Sequence, residues 1–168
     1  MAFVTSNNTV ISFAEYTDVL QRDQRLFEVN EGLSDDVVEP LLERATERIM
    51  NKLRNTDWWR TYWMLRSTDV VRNVADIPAL DINRIRARQA DFTDLCVFTA
   101  FAEYILPLIA DFGNDDSAER KKMGYYAVRS DKLFDELVAS GDWYDFDNNN
   151  TIGSSEREPG FVSRKRIR

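Results

Sequence analysis

Residues 34–53 read SDDVVEPLLERATERIMNKL, and this stretch predicts a long amphipathic helix. Its apolar side chains recur at helical spacing from Val37 to Leu53, and most of its charged side chains fall on the opposite side. Ser34 has the residue type that caps a helix start, and the two aspartates after it favour the positive end of the helix dipole. Residues 34–53 therefore predict a helix that buries one face in a core.

Other helices are predicted on both sides of this one. A capping box formed by Ser12 and Glu15 predicts a first helix, and Thr56 or Asp57 can cap a short helix. A second strongly helical region is predicted from Asp81, and its part after Phe92 is apolar nearly all round until Pro107, which should kink or end it.

The last predicted helix is capped by Asp115, Asp116 or Ser117 and ends at Gly141, a residue type that suits the left-handed position past a helix end. The prediction is an all-α fold, a small helical bundle of about four helices with an extended, partly strand-like C-terminal arm. Residues 1–141 are predicted to be the helical body, and residues 142–168 are predicted to be the arm with its basic tip.

Charge is distributed unevenly along the chain. The 168 residues carry a net charge of −7, and the last ten carry +4 without an acid, so the first 158 carry −11. An acidic body argues against a nucleic-acid-binding face there, which leaves the basic tip to meet an acidic partner.

The composition also limits chemistry and location. There is no histidine, which removes the commonest general base and the usual zinc ligand, and the single cysteine, Cys96, is expected to be buried and inert. The remaining candidates for catalysis are carboxylates, and these are scattered along the sequence with no pair placed in an apolar pocket. An enzyme is therefore not expected. The longest apolar run is interrupted and short for a membrane span, and no signal peptide is visible, so a soluble, reduced, intracellular setting without a membrane partner is expected.

An aromatic cluster lies at residues 58–63 and comprises Trp58, Trp59, Tyr62 and Trp63. Such side chains bury large areas in cores or interfaces, which is the favoured interpretation. The interleaved arginines Arg60 and Arg66 leave base stacking on a single strand as an alternative.

Residues 145–156, DFDNNNTIGSSE, nearly match a calcium loop of the EF-hand kind. The expected ligands are Asp145, Asp147, Asn149, the carbonyl of Thr151, and Glu156. Asn150 stands where that loop prefers glycine, two early carboxylates are few, and Pro159 opposes an exit helix. The favoured interpretation is a turn between two extended pieces, with bound calcium as the alternative and no other cofactor expected.

The order of these features resembles the head–tail connector proteins of tailed bacteriophages, also called adaptor or head-completion proteins. The resemblance covers SDDVVEPLLERATERIMNKL, an apolar central helix, KMGYYAVRSDKLFDELVASG and an extended arm with basic residues. It implies a virion structural protein of the neck, assembled in the host cytoplasm, whose copies form a ring, commonly of twelve, below the portal. The ring would extend the DNA channel toward a downstream neck or tail protein, and duplex DNA would pass through it without sequence recognition.

The resemblance also implies a C-terminal arm that binds the portal or a neighbouring subunit. The residues expected to make that contact are Phe161, Val162, Arg164, Lys165, Arg166, Ile167 and Arg168. Their alternation suits an added strand at a sheet edge, and their arginines suit an acidic surface. The alternative function is a calcium-responsive, EF-hand-like binding module that uses residues 145–156.

Overall fold

The computed structural model describes residues 3–7, 9–66, 76–114, 117–154 and 156. Within these ranges the chain is mostly helical, with one antiparallel sheet of two short strands, so the prediction of a mainly helical fold is confirmed. The strands are β1 (Val4–Ser6) and β2 (Thr9–Ser12), and the helices are α1 (Tyr16–Arg22), α2 (Gln24–Val29), α3 (Asp35–Arg54), α4 (Asp57–Arg66), α5 (Gln89–Ala100), α6 (Leu106–Ile109) and α7 (Ala118–Ser140).

The N-terminal hairpin corrects the predicted start of the first helix. Ser12 ends β2, and α1 begins only at Tyr16. The Ser12 hydroxyl bonds to the backbone of Ala14, where it accepts from the N–H at 3.2 Å and donates to the carbonyl at 2.7 Å. The helix start is stabilised one turn later, where the Asp18 carboxylate accepts from the Glu15 N–H at 3.0 Å.

Helices α3, α5 and α7 form the centre of the fold. α3 begins after Ser34, as predicted, and Leu42, Ile49 and Leu53 on its apolar face are buried. α5 packs against both α3 and α7, so it has protein on opposite sides. Its buried residues therefore include neighbours in sequence as well as residues on one face, and the predicted central helix is confirmed.

The central helix changes its winding before Pro107. A π-helical turn, Phe101–Ile105, joins α5 to α6, and the helix ends at Ile109. Because proline has no N–H, the carbonyl four residues earlier, that of Glu103, receives no bond from it, and a wider turn at this point is a common adjustment. The Glu103 side chain is half-exposed, and its carboxylate lies 3.4 Å from Arg48 Nε.

By length and composition alone, the continuous helix Gln89–Ile109 is apolar enough to cross a membrane, and it is the one such helix among the described residues. In its most apolar window, 61% is buried inside the fold. A central helix of a core passes the same test, so this observation is weak support for a membrane span.

Residues 81–88 are not the helix that their sequence predicts. The Asp81 carboxylate caps only a short 3-10 turn, Ile82–Arg84, by accepting from the Asn83 N–H at 3.0 Å. Ile85 then pairs with Tyr144 in an isolated antiparallel bridge, and the backbone before α5 turns through a left-handed residue. The apolar spacing of these residues fits a helix, but their pairing with residue 144 holds the backbone extended.

The chain after α7 returns to the core instead of leaving it. α7 is capped by Ser117 and followed by Gly141 at a φ of 58°, both as predicted. Trp143, Tyr144 and Phe146 are nevertheless buried, so the chain from Trp143 to Phe146 packs in the core and does not extend away from it as the predicted arm would. Large aromatic side chains gain more free energy by burial than an extended arm would allow.

Candidate metal centre

The segment before α5 holds the start of the loop, at residues 143–146, by hydrogen bonds. The Trp143 carbonyl accepts from the Arg86 N–H at 3.0 Å, and the Asp145 N–H donates to the Arg84 carbonyl at 2.9 Å. The Arg84 guanidinium donates to the Phe146 carbonyl at 3.1 Å. This pairing fixes the backbone at the first residue of the loop.

Asp145 is fully buried, yet each of its oxygens has partners. One oxygen accepts from the Asn149 N–H at 3.2 Å, and the other accepts from the Asn150 N–H at 2.8 Å. Arg86 Nε lies 3.8 Å from the same oxygen as Asn150, and Arg86 Nη2 donates to the Asn150 side chain at 2.6 Å. A buried carboxylate requires such compensation, which here comes from two backbone donors and one guanidinium.

Glu156 closes the loop from its far end and is also buried. Its Oε1 accepts from the N–H groups of Phe146 at 2.7 Å and Asp147 at 3.1 Å, and its Oε2 accepts from the Gly153 N–H at 2.6 Å. The twelfth position of the calcium-loop pattern is therefore brought beside the first three.

Between these two buried acids lie exposed side chains, Asp147 and Asn149, whose oxygens could bind a cation. The Asp147 carboxylate accepts from the Asn149 N–H at 3.1 Å and from the Asn149 amide at 2.9 Å. The Asn149 side-chain oxygen in turn accepts from the Thr151 N–H at 2.8 Å. These bonds order the loop while leaving its outer side open to solvent.

Asn150 takes the backbone conformation that the sixth position of a calcium loop requires. Its φ is 67°, and that of Asn148 is 60°. Asparagine tolerates this left-handed region better than most residues. The objection that glycine is missing from position six therefore loses its force.

The loop brings three predicted ligands together. One carboxylate oxygen each from Asp145, Asp147 and Glu156 lies within 4.8 Å of the others. Oxygens bound to one Ca²⁺ at 2.3–2.6 Å are at most about 5 Å apart, so this spacing fits a hard cation. Carboxylate, amide and carbonyl oxygens suit Ca²⁺ or Mg²⁺, whereas zinc prefers nitrogen and sulfur ligands.

Arg84 and Arg86 support the loop, although neither belongs to the calcium-loop pattern in the sequence. Their stretch, residues 84–88, reads RIRAR. Strict alternation of charged and apolar residues is typical of a strand, so it was a signal for the extended pairing that the structure shows.

The aromatic cluster packs α4 onto the C-terminal segment. Trp59 is buried and its Nε1 donates to the Pro78 carbonyl at 2.9 Å, while Trp58 and Tyr62 are half-buried. The Trp58 ring centre lies 4.7 Å from that of Trp143, and the Tyr62 ring stacks on Phe146. Trp63 is also half-buried against the core.

The protein's own rings therefore cover much of this aromatic surface, which supports the interpretation that the cluster belongs to the core. The base-stacking interpretation gains no support from Trp59, whose ring stacks on Tyr62 and Phe146.

Two buried groups of the core, Tyr144 and Cys96, resist ionisation. Burial raises the pKa of Tyr144 to about 12, although its hydroxyl accepts from the Asp81 N–H at 3.0 Å. Burial likewise raises the pKa of the Cys96 thiol to about 11. Both groups are neutral near pH 7, and Cys96 is fully buried as the sequence predicts.

The residues predicted to bind a partner lie outside the described part of the chain. They are Phe161, Val162, Arg164, Lys165, Arg166, Ile167 and Arg168. Comparison with protein-family models, with curated proteins and with solved structures gives no match.

Proposed function

We propose that the protein is a virion structural protein, a head–tail connector or adaptor without enzymatic activity. Its body, a bundle of about four helices, forms a ring below the portal in the neck of the virion after assembly in the host cytoplasm. The ring extends the DNA channel toward a downstream neck or tail protein. The arm predicted from the sequence comprises residues 142–168, and because Trp143, Tyr144 and Phe146 are buried, we assign the anchoring role to residues 157–168 alone.

Charge separation carries this proposal. The first 158 residues sum to −11, and the next ten carry +4. An acidic wall repels the phosphates of duplex DNA, which favours passage without adhesion. A basic segment favours an acidic docking surface on a different protein, since arginine forms charge-assisted hydrogen bonds with carboxylates.

Exposed apolar side chains support contact between copies. Leu108, in the last turn of the central helix, and Phe112, in the turn that follows it, are each 61% exposed, and Val128 on α7 is 70% exposed. Large apolar groups at the surface are frequent where subunits meet. These residues are candidates for the ring contact.

Light scattering tests the ring, and co-sedimentation with a portal protein tests the anchor. Removal of residues 159–168 should leave a folded helical protein that no longer sediments with the portal. Arg164→Gln with Arg166→Gln should weaken attachment, whereas Arg25→Gln with Lys132→Gln, which removes the same charge elsewhere, should not. Attachment that persists without residues 159–168, or a chain that stays monomeric with and without the portal, contradicts the proposal.

The second candidate function is a calcium-responsive binding module. The gathering of Asp145, Asp147 and Glu156 within 4.8 Å favours it. The ion would be held by these carboxylates with Asn149 and the Thr151 carbonyl, and it would relieve the repulsion among three acids.

Calorimetry with Ca²⁺ and, separately, with Mg²⁺ tests this candidate. Asp147→Asn is the sharper variant, because Asp147 is exposed, whereas Asp145→Ala also removes buried hydrogen bonds. Asp135→Asn on α7 is the matched control. Binding of Ca²⁺ that Asp147→Asn weakens and Asp135→Asn leaves unchanged supports the module, and absence of any Ca²⁺ heat in the parent chain excludes it.

A further inference from the structure

A groove of about 630 Å³ runs between β2, α3 and the segment before α5. Its apolar wall includes Ile11, Met50, Leu80 and Ile82, and its acidic rim is formed by Glu43 and Glu47. Both glutamates are exposed, and Ile11 is among the exposed large apolar residues.

The chemistry of this groove selects an occupant that is both apolar and cationic. No Lys or Arg lies among its described lining residues, so two negative charges stand without a cation in the lining. An extended segment with alternating apolar and basic side chains would satisfy both the wall and the rim.

We propose that residues 161–168 of the same chain dock in this groove. The segment reads FVSRKRIR, in which Phe161 and Ile167 project to one side of an extended chain and match the apolar wall. Arg164 and Arg166 are two residues apart and therefore project to the same side of an extended chain, where they meet Glu43 and Glu47. The proposal concerns the chain without its portal and does not depend on the connector function, in which the same segment would leave the groove to bind the portal.

The fold delivers this segment close to the groove. Glu156 is hydrogen-bonded to Phe146, whose carbonyl accepts from Arg84 at 3.1 Å, and Ile82 of the groove wall is two residues before Arg84. Residues 157–160 can span about 13 Å, since an extended residue adds about 3.3 Å. A short tether of this kind gives the segment a millimolar effective concentration at its own groove.

Photo-crosslinking in the full chain tests the proposal. A benzophenone-bearing phenylalanine at position 161 should crosslink within one chain to peptides that contain Ile11, Met50 or Ile82, identified by mass spectrometry. The yield should fall when salt is raised, because the rim contact is electrostatic. Crosslinks that join two chains, or that map elsewhere in the molecule, overturn the proposal.

A charge exchange makes the test specific. Glu43→Lys with Glu47→Lys should lower the groove crosslink roughly fivefold, and adding Arg164→Glu with Arg166→Glu should restore it. Asp135→Lys with Glu136→Lys on α7 is the control of equal charge and should leave the yield unchanged. If the rim variant does not fold, Arg164→Glu with Arg166→Glu alone, which alters no described residue, should show the same fall. An unchanged yield in that variant overturns the proposal.

Discussion

Tyr144 joins two parts of the molecule at the scale of a single residue. Its backbone bridges to Ile85, its ring packs against Trp59 of the aromatic cluster, and its hydroxyl accepts from the Asp81 N–H. The hydroxyl remains neutral because its pKa is raised to about 12 by burial. Ionisation of this hydroxyl would therefore weaken the folded state.

Alkaline pH should therefore lower the free energy of unfolding of the protein. The pKa values of Tyr144 and Cys96 are raised in the folded state, so their neutral forms contribute full stability below about pH 9. That contribution falls as the pH rises to about 12, by on the order of 2 kcal/mol for each group. Urea titrations at pH 8 to 11.5 measure it.

Tyr144→Phe should flatten the decline between about pH 10 and 12 while lowering stability near pH 7 by about 1 kcal/mol through the lost hydrogen bond. Tyr125→Phe, at an exposed ring, is the control for loss of a tyrosine hydroxyl. A decline that is equally steep in Tyr144→Phe contradicts this assignment.

Cys96 should be protected from thiol reagents. Its side chain is fully buried beside Thr46 and the Leu42 carbonyl, so reaction requires an opening of the structure. The native thiol should react with a chromogenic disulfide at least about 10³-fold more slowly than the urea-unfolded thiol. Rates that differ by less than about tenfold would contradict the burial of Cys96.

At the scale of elements, two glycines of α7 and its end have different roles, because one lies just after the helix and the other lies inside it. Gly141 follows the helix with a φ of 58°, where any side chain is strained. Gly124 lies inside the helix, where an added Cβ meets no atom within 4 Å. Glycine therefore stabilises the fold at position 141 and destabilises it at position 124.

Alanine substitutions separate the two effects. Gly141→Ala should lower the free energy of unfolding by about 1 kcal/mol, and Gly124→Ala should raise it by up to about 1 kcal/mol. Urea denaturation of the two single variants provides the measurement, and each serves as the other's control. Equal shifts of the same sign would show that the two positions do not differ as described.

Elements that depend on local signals were predictable from the sequence. The start and end of α7 follow from Ser117 and Gly141, and α3 begins after Ser34 as predicted, although the Ser34 side chain makes no capping hydrogen bond. The hairpin and the bridge between Ile85 and Tyr144 were not predictable in this way. Each depends on backbone pairing between two segments, whereas the apolar spacing of the same residues fits a helix.

The candidate site also has a part that was predictable from the sequence and a part that was not. The spacing within residues 145–156 predicts the acids that come together, since all of them lie in one loop. Arg86 reaches Asp145 from a distant stretch, so local spacing does not reveal it. The burial of Trp143 is likewise a property of the folded molecule.

At the scale of the whole molecule, the segment after α7 completes the core. Trp143 packs against Trp58 and against Phe92 at ring-centre distances of 4.7 and 4.9 Å. Its Nε1 donates to the Leu137 carbonyl at 2.7 Å. The segment thereby ties α4, α5 and α7 together.

Two truncations should have very different effects. A chain ending after residue 156 should have a free energy of unfolding within about 1 kcal/mol of that of the full chain, because it retains every buried residue described above. A chain ending after residue 141 loses Trp143, Tyr144 and Phe146, and should lose more than about 5 kcal/mol, which leaves it largely unfolded.

Circular dichroism during thermal melting compares the two chains, and Trp143→Ala in the full chain, expected to lose about 3–5 kcal/mol, checks that the effect comes from burial. A cooperative melt of the chain ending after residue 141 at the full-length temperature would show that the segment is dispensable.

The late position of Trp143 along the chain has a consequence during synthesis. A ribosome that has released only the first hundred or so residues presents helices whose apolar faces still lack their final covering. Such a nascent chain is expected to attract chaperones until residues 143–146 emerge, and folding should be delayed until translation has passed this point.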